Sequence, residues 1–195
     1  MKIIIATQNP HKVEEIREIA HLYNISGVDF EAIDSSLDFN PVEDGKTFEE
    51  NSYIKAKEAN RLTHAYTLAD DSGLCVDALG GAPGIHSARY ADTAQKRIDK
   101  LLDALKGETN RKAKFVCAIT LINPSGEVEF AGRGECKGEI ALEQSGSHGF
   151  GYDPVFLVEE TSKTMADMSE DEKNKISHRS LAMQKLFEYL KNIKA

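Results

Sequence analysis

The chain has 195 residues and a formal net charge of −8. That length suits one sizeable domain, or one domain of two lobes. The acidic balance argues against a nucleic-acid binder, because the phosphate backbone calls for a basic surface. Apolar runs such as KIIIA are far too short to span a bilayer, so no membrane partner is expected. Met1 and Lys2 lead straight into a strand rather than a secretory leader, and the expectation is a soluble cytoplasmic protein. Cys75, Cys117 and Cys136 are widely spaced and form no CxxC pair, which fits reduced core residues better than a disulfide framework or a zinc site.

In chain order, KIIIA (2–6) is β-branched and unbroken and predicts a buried strand. TQNPHK follows. There Asn9 suits an N-cap and Pro10 the first position of a helix whose apolar face is Val13, Ile16, Ala20 and Tyr23. A second helix spans 47–62, opened by Thr47 and Glu50 in capping-box spacing. Phe48, Asn51, Lys55, Ala59 and Leu62 share one of its faces, which puts Lys55 on or beside the inward side. TLAD (67–70) looks like a strand that ends at the aspartates. A third helix covers roughly 93–106, with Ile98, Leu101, Leu102 and Leu105 as its stripe and Gly107 as its stop.

AKFVCAITLI (113–122) and EVEFAGRGECKGEI are strands joined by the turn NPSG, a hairpin. GSHGFGYDP (146–154) is a glycine-rich loop, and VFLV is a short strand after it. The polar segment 159–170 has the composition of a mobile flap, and SEDE (169–172) is another capping box. A last helix starts near Ser177 and turns Ala182 or Met183, Leu186, Phe187, Leu190 and Ile193 inward. Strands and helices alternate early and a hairpin sits in the middle, which predicts an α/β protein with a mixed sheet.

Five places carry chemistry. The loop with Thr7, Asn9 and Lys12 sits at a helix N-terminus, which suits phosphate; it is equally an ordinary capped turn, and it lacks a P-loop pattern. Asp70 and Asp71 are adjacent. On a strand they face opposite sides, so one can orient a site while the other enters a cleft and offers oxygen to Mg²⁺. The bland alternative is a turn whose backbone both aspartates bond. In PVEDG (41–45), Glu43 and Asp44 supply a second metal carboxylate or are plain surface. In GFGYDP (149–154), Phe150 or Tyr152 can stack on a base and Asp153 can accept hydrogen bonds, or the aromatics simply pack. Lys173, Lys175, His178 and Arg179 fall within EKNKISHRS (172–180). Cations in the first turn of a helix oppose its dipole, a conflict that an anionic ligand resolves; the alternative is a solvated basic patch. His11, His21, His64, His86 and His148 show no metal spacing. Together the signals describe a nucleotide site.

As a set, the motifs ATQNPHKVEEI, EDGKTFEENSYIKA, ADDSGL, LGGAPGIHSARYA, GFGYDPVF and EKNKISHRS resemble the inosine/xanthosine triphosphate pyrophosphatase family, in the same order and over nearly the whole chain. The resemblance implies hydrolysis of purine nucleoside triphosphates carrying hypoxanthine or xanthine to the monophosphate and pyrophosphate. It implies Mg²⁺, a homodimer, and one domain over 1–195. The implied fold is an elongated α/β structure, a mixed twisted sheet flanked by helices, with two lobes and a deep cleft between them. By motif, Thr7, Gln8, Asn9, Pro10, His11 and Lys12 would form a phosphate loop. Glu43 and Asp71 would hold Mg²⁺, with Asp71 also the general base. Ser72 and Lys55 would contact phosphates. Phe150, Gly151, Tyr152 and Asp153 would line the nucleoside site, and Lys173, His178 and Arg179 would complete the base and phosphate contacts. The Ser177–Arg179 segment would donate to O6 of the base. Gln8 and His11 depart from the family's usual smaller residues, and His148 is expected at the rim. The rival readings are a Maf-like pyrophosphatase acting on other triphosphates and a catalytically idle nucleotide binder.

Overall fold

The computed structural model describes residues 1–193. The chain runs through β1 (Lys2–Ile5), α1 (Pro10–Leu22), β2 (Asp29–Ala32), α2 (Phe48–Thr63), β3 (Tyr66–Val76) and α3 (Ala94–Ala104). It continues through β4 (Lys112–Ile122), β5 (Val128–Ile140), β6 (Phe156–Val158), α4 (Glu170–Ile176) and α5 (His178–Ile193). The strands form one mixed sheet in the order β2-β1-β3-β4-β5-β6. The β2–β1–β3 end is parallel, and the remaining pairings are antiparallel. No helix among the described residues is long and apolar enough to cross a membrane.

β3 does not end at the aspartates. β4 pairs with it from Thr67 through Val76, so Asp70 and Asp71 lie mid-strand. β1, in contrast, pairs with it only as far as Leu68. Between Leu68 and Leu74 that edge of β3 has no strand beside it, at the carboxyl end of β1, where α/β sheets place their ligand crevices; beyond it the 82–87 segment covers the edge through the Cys75–Pro83 bridge and the Leu74 and Val76 amides. The alternation of the strand then divides the labour. Leu68 packs into a core with Ile3, Ile16, Met183 and Phe187, while Leu74 and Val76 pack into a second core with Leu101, Phe115 and Phe156. Asp70 and Ser72 lie between those two cores on the same face. Asp71 turns to the other face, toward α2.

Local chemistry explains the helix ends. The Asn9 side chain accepts the His11 N–H, and Pro10 opens α1 where a missing N–H costs nothing. At α2 the Thr47 hydroxyl accepts the Glu50 N–H, but the Glu50 carboxylate bonds the Lys46 N–H instead of returning to Thr47, so the expected capping box is half formed. The box at Ser169 and Glu172 is complete. Segment 159–170 is not a loose flap throughout: Met165 and Met168 are buried in the second core, Ala166 is buried beside them in sequence, and Thr164 and Asp167 cap each other, while 159–163 are exposed. Ile193, expected inward, is half exposed at the end of α5. A Cβ on Gly134 of β5 would run into the His178 carbonyl and the Ala182 amide. Strand and helix therefore touch backbone to backbone, which fixes the first turn of α5 over the sheet.

Candidate active site

Most of the residues singled out above line a single cleft of about 410 Å³ beside β3, at the edge that β1 leaves free; Pro10, His11, Asp44, Asp70, Lys175 and Ser177 do not. Lys175 and His148 are exposed. The phosphate loop is less open than its sequence suggests. The Asn9 N–H already donates to the Thr7 hydroxyl, and the His11 N–H to the Asn9 side chain. Gln8 turns away to donate to the Phe39 carbonyl. Lys12 supplies the loop's cation.

The two aspartates are separated electrostatically as well as sterically. Asp70 accepts from Arg179 Nη2 at 2.9 Å and lies 3.0 Å from Lys12 Nζ. Burial alone would raise its carboxyl, but Lys12, Arg179 and Lys55 hold it far below the ordinary carboxylate range. Asp71 meets Lys55 Nζ at 2.7 Å and the Asn51 amide at 3.3 Å. Burial nevertheless lifts the Asp71 carboxyl above its ordinary value. The two adjacent carboxyls are thus pushed in opposite directions by their surroundings, the pattern by which like groups come to differ in basicity. The protein's own cations, rather than a metal alone, make the pair tolerable.

The other end of the cleft is a chain of ion pairs. Glu15 accepts from Lys173 Nζ at 2.5 Å and from Arg179 Nη1. Lys173 also donates to Asp153 at 2.8 Å, and Asp153 accepts the Phe150 N–H. The dipole conflict expected at α5 is thus answered from within, by Asp70 and Glu15, although Arg179 sits fully buried. His178 is not a cation. Burial, with Arg179 and Lys173 nearby, pushes its imidazole well below the usual histidine value, and its ring stacks on Phe115 with centroids 4.7 Å apart. Asp70 Oδ1, His178 Nδ1 and Arg179 Nε are buried without a hydrogen-bond partner. Buried polar atoms without partners are costly, and two of the three residues, His178 and Arg179, line the cleft. Tyr152 is held by a bond from its hydroxyl to the Ser87 carbonyl.

Two participants were not singled out from the sequence. Glu15 looks like a surface acid beside Glu14, although its spacing of three from Lys12 puts both on one helix face. Asn51 links Asp71 to the Glu43 loop, because its carbonyl oxygen accepts the Gly45 N–H at 2.9 Å. Glu15 yields a pH prediction. Burial opposes ionisation, yet Arg179 and Lys173 hold the folded carboxyl below its ordinary 4.5. A depressed carboxyl contributes stability above its unfolded value and loses it as pH falls. Melting temperature should therefore decline more steeply from pH 5 to about pH 3 in the wild type than in Glu15→Gln, whose neutral-pH melting temperature is already lower.

Glu43 and Asp71 are the cleft's candidates for a metal. Both carboxylates meet the Lys55 ammonium, at 3.0 and 2.7 Å, so they already converge on a cation. No group of three or more His, Cys, Asp or Glu converges among the described residues. Two carboxylates suffice for Mg²⁺, which takes its other oxygens from water and substrate phosphate. The donor set fits that ion and does not fit a closed transition-metal site.

The Ham1 family model matches residues 3–189. A dITP/XTP pyrophosphatase of Clostridium perfringens is 45% identical across 98% of both chains, and one of Bacillus subtilis is 44% identical across 96% of both. The Ham1 protein of Staphylococcus aureus superposes with a TM-score of 0.86 at 40% identity, over 98% of this chain and 99% of that one. The HAM1 protein of Coxiella burnetii does so at 0.87 and 38% identity, with the same coverage. With its open-edged β3, its divided aspartates and its cleft between two cores, the chain belongs to the Ham1 family.

Proposed function

We propose that this chain hydrolyses inosine, deoxyinosine and xanthosine triphosphates to the monophosphate and pyrophosphate, removing non-standard purines from the nucleotide pool. The observation that carries the reading is the division of the cleft. At one end Asp71, Glu43 and Lys55 form a phosphate and proton-handling cluster. At the other, Lys173 and Arg179 lie against Phe150, and His178 Nδ1 and Arg179 Nε are buried and unpaired. The names of the relatives support it. The homodimer and the treatment of 1–195 as one catalytic unit rest on the resemblance, and the cytoplasmic setting on the sequence reading.

In this reading the triphosphate lies along Lys12, Lys55 and Ser72, whose cations and hydroxyl replace the phosphates' water. Glu43 and Asp71 would hold Mg²⁺, which would supply charge neutralisation on the phosphate oxygens and a lowered pKa for bound water. Asp71, its carboxyl raised by burial, takes the proton of a water aimed at the α-phosphorus. The new P–O bond forms there and the α–β anhydride breaks, with pyrophosphate leaving along the lysines. Asp70 stays ionised and holds Arg179 and Lys12 in place.

Base choice follows from donors. A helix leaves its first N–H groups without intrahelical acceptors. In α5 these belong to His178 and Arg179, while the Ser177 hydroxyl takes the Ser180 N–H. They face O6 of hypoxanthine or xanthine. Adenine presents a donor there, leaving buried donors unpaired at a cost of roughly 1–3 kcal/mol each.

The test is the fate of the attacking oxygen. Hydrolysis of ITP in ¹⁸O-water should place the label in IMP and none in pyrophosphate, and chelation of divalent metal should stop it. Label in pyrophosphate, or release of orthophosphate with IDP, would refute attack at the α-phosphorus.

A further inference from the structure

Phe150 lies between Gly149 (φ 75°) and Gly151 (φ 66°), both in the left-handed region. Two such glycines let the backbone around a single aromatic rearrange at little steric cost. The Phe150 ring lines the main cleft, and it also lines a second cavity of about 280 Å³ together with His11, Glu15 and Lys173. The ring, with Lys173, is therefore the partition between the two spaces. The His11 imidazole stacks on it face to face, with centroids 5.3 Å apart and planes inclined by 16°, and Lys173 Nζ lies 5.1 Å from the centroid of the same ring.

His11 has no other evident task. It is exposed and does not line the main cleft. Its backbone N–H serves the helix cap through Asn9, so the start of α1 does not depend on the imidazole. Its Cα is nonetheless held rigidly, in the first turn of a helix whose next residue, Lys12, reaches Asp70. The stack thus ties the loop at the base end of the cleft to the helix at the phosphate end.

We propose that His11 is a positioning residue that clamps Phe150 as the wall against which the purine packs. The proposal rests on the reading of the cleft as a purine nucleotide site. The Asp153 carboxylate tethers the Phe150 N–H and the Lys173 and Arg179 cations approach its ring, and the aromatic pair adds a ring-on-ring brace that opposes a swing into the second cavity. Binding then begins from a wall already in place.

The test separates clamping from general stability. His11→Ala should raise the KM for ITP about three- to tenfold and leave kcat within about twofold, because base packing is shared by ground and transition states. His11→Phe, which keeps a ring to stack, should restore the KM. An unchanged KM in His11→Ala, or a His11→Phe variant that behaves like His11→Ala, would overturn the proposal. A second readout needs no turnover. The chain has no tryptophan, so Phe150→Trp introduces a single indole. Its steady-state anisotropy without nucleotide should fall when His11→Ala is added and recover with His11→Phe. If the wild type acts on no nucleoside triphosphate, the functional reading fails, and the anisotropy series still decides whether the clamp exists: equal values in all three backgrounds would refute it.

Discussion

Asp71→Asn should lower pyrophosphate release from ITP by about a thousandfold, within the range for loss of a positioned general base, and leave the fold intact. Asparagine is nearly isosteric. Its side-chain oxygen can still accept from Lys55, which now stands 2.7 Å from Asp71 Oδ1. What it loses is charge and basicity. The comparison that gives the experiment its force is Asp70→Asn. Asp70 is held ionised between Lys12 and Arg179 and faces the other side of β3, so it has no proton-accepting role in this account. Its asparagine variant should be destabilised, and its residual turnover should exceed that of Asp71→Asn by at least about tenfold. Parallel kinetics and thermal melts on the two variants check this. The reverse order of activities would move the proton acceptor to the wrong aspartate.

Arg179→Met should cost about 3–5 kcal/mol of stability and lower the melting temperature by roughly 10 °C. Arg179 is 1% exposed and pairs with both Asp70 and Glu15. Methionine fills much of the space but leaves Asp70 with Lys12 as its remaining close cation and Glu15 with Lys173. Removing one partner of a buried ionic network is costly because the other charge stays behind. The double variant Arg179→Met with Asp70→Asn should therefore melt higher than Arg179→Met alone. Circular dichroism melts of the three proteins decide it, and additive losses would mean that the destabilisation comes from packing rather than from stranded charge.

Most of the fold is legible in the sequence because its signals are local. Asn9 with Pro10, and Ser169 with Glu172, each open a helix where their residue types place them. The alternating hairpin of β4 and β5 is paired as its pattern implies. What escapes the sequence depends on partners far along the chain. In the sequence β3 stops at Asp70 because DDSG has no β-forming character, while β4 on one edge and the 82–87 segment on the other keep it extended to Val76. Met165 and Met168 sit in a polar stretch that gives no sign of their burial. At the site, the types of residue are legible but their charges are not. His178 looks cationic until burial is known, and Glu15 looks solvated until Lys173 and Arg179 are found against it. The adjacency of Asp70 and Asp71 is the most visible feature of all, yet its explanation lies in Lys12, Lys55 and Arg179, which come from three other helices.

The measurement that tests the central claim most directly is pyrophosphate release, with Mg²⁺, from ITP, dITP, XTP, GTP, ATP, CTP and UTP side by side. The account predicts fast release from ITP, dITP and XTP, and far slower release from the other four. A panel led by GTP, ATP or a pyrimidine triphosphate, or no release from any of the seven, would contradict it.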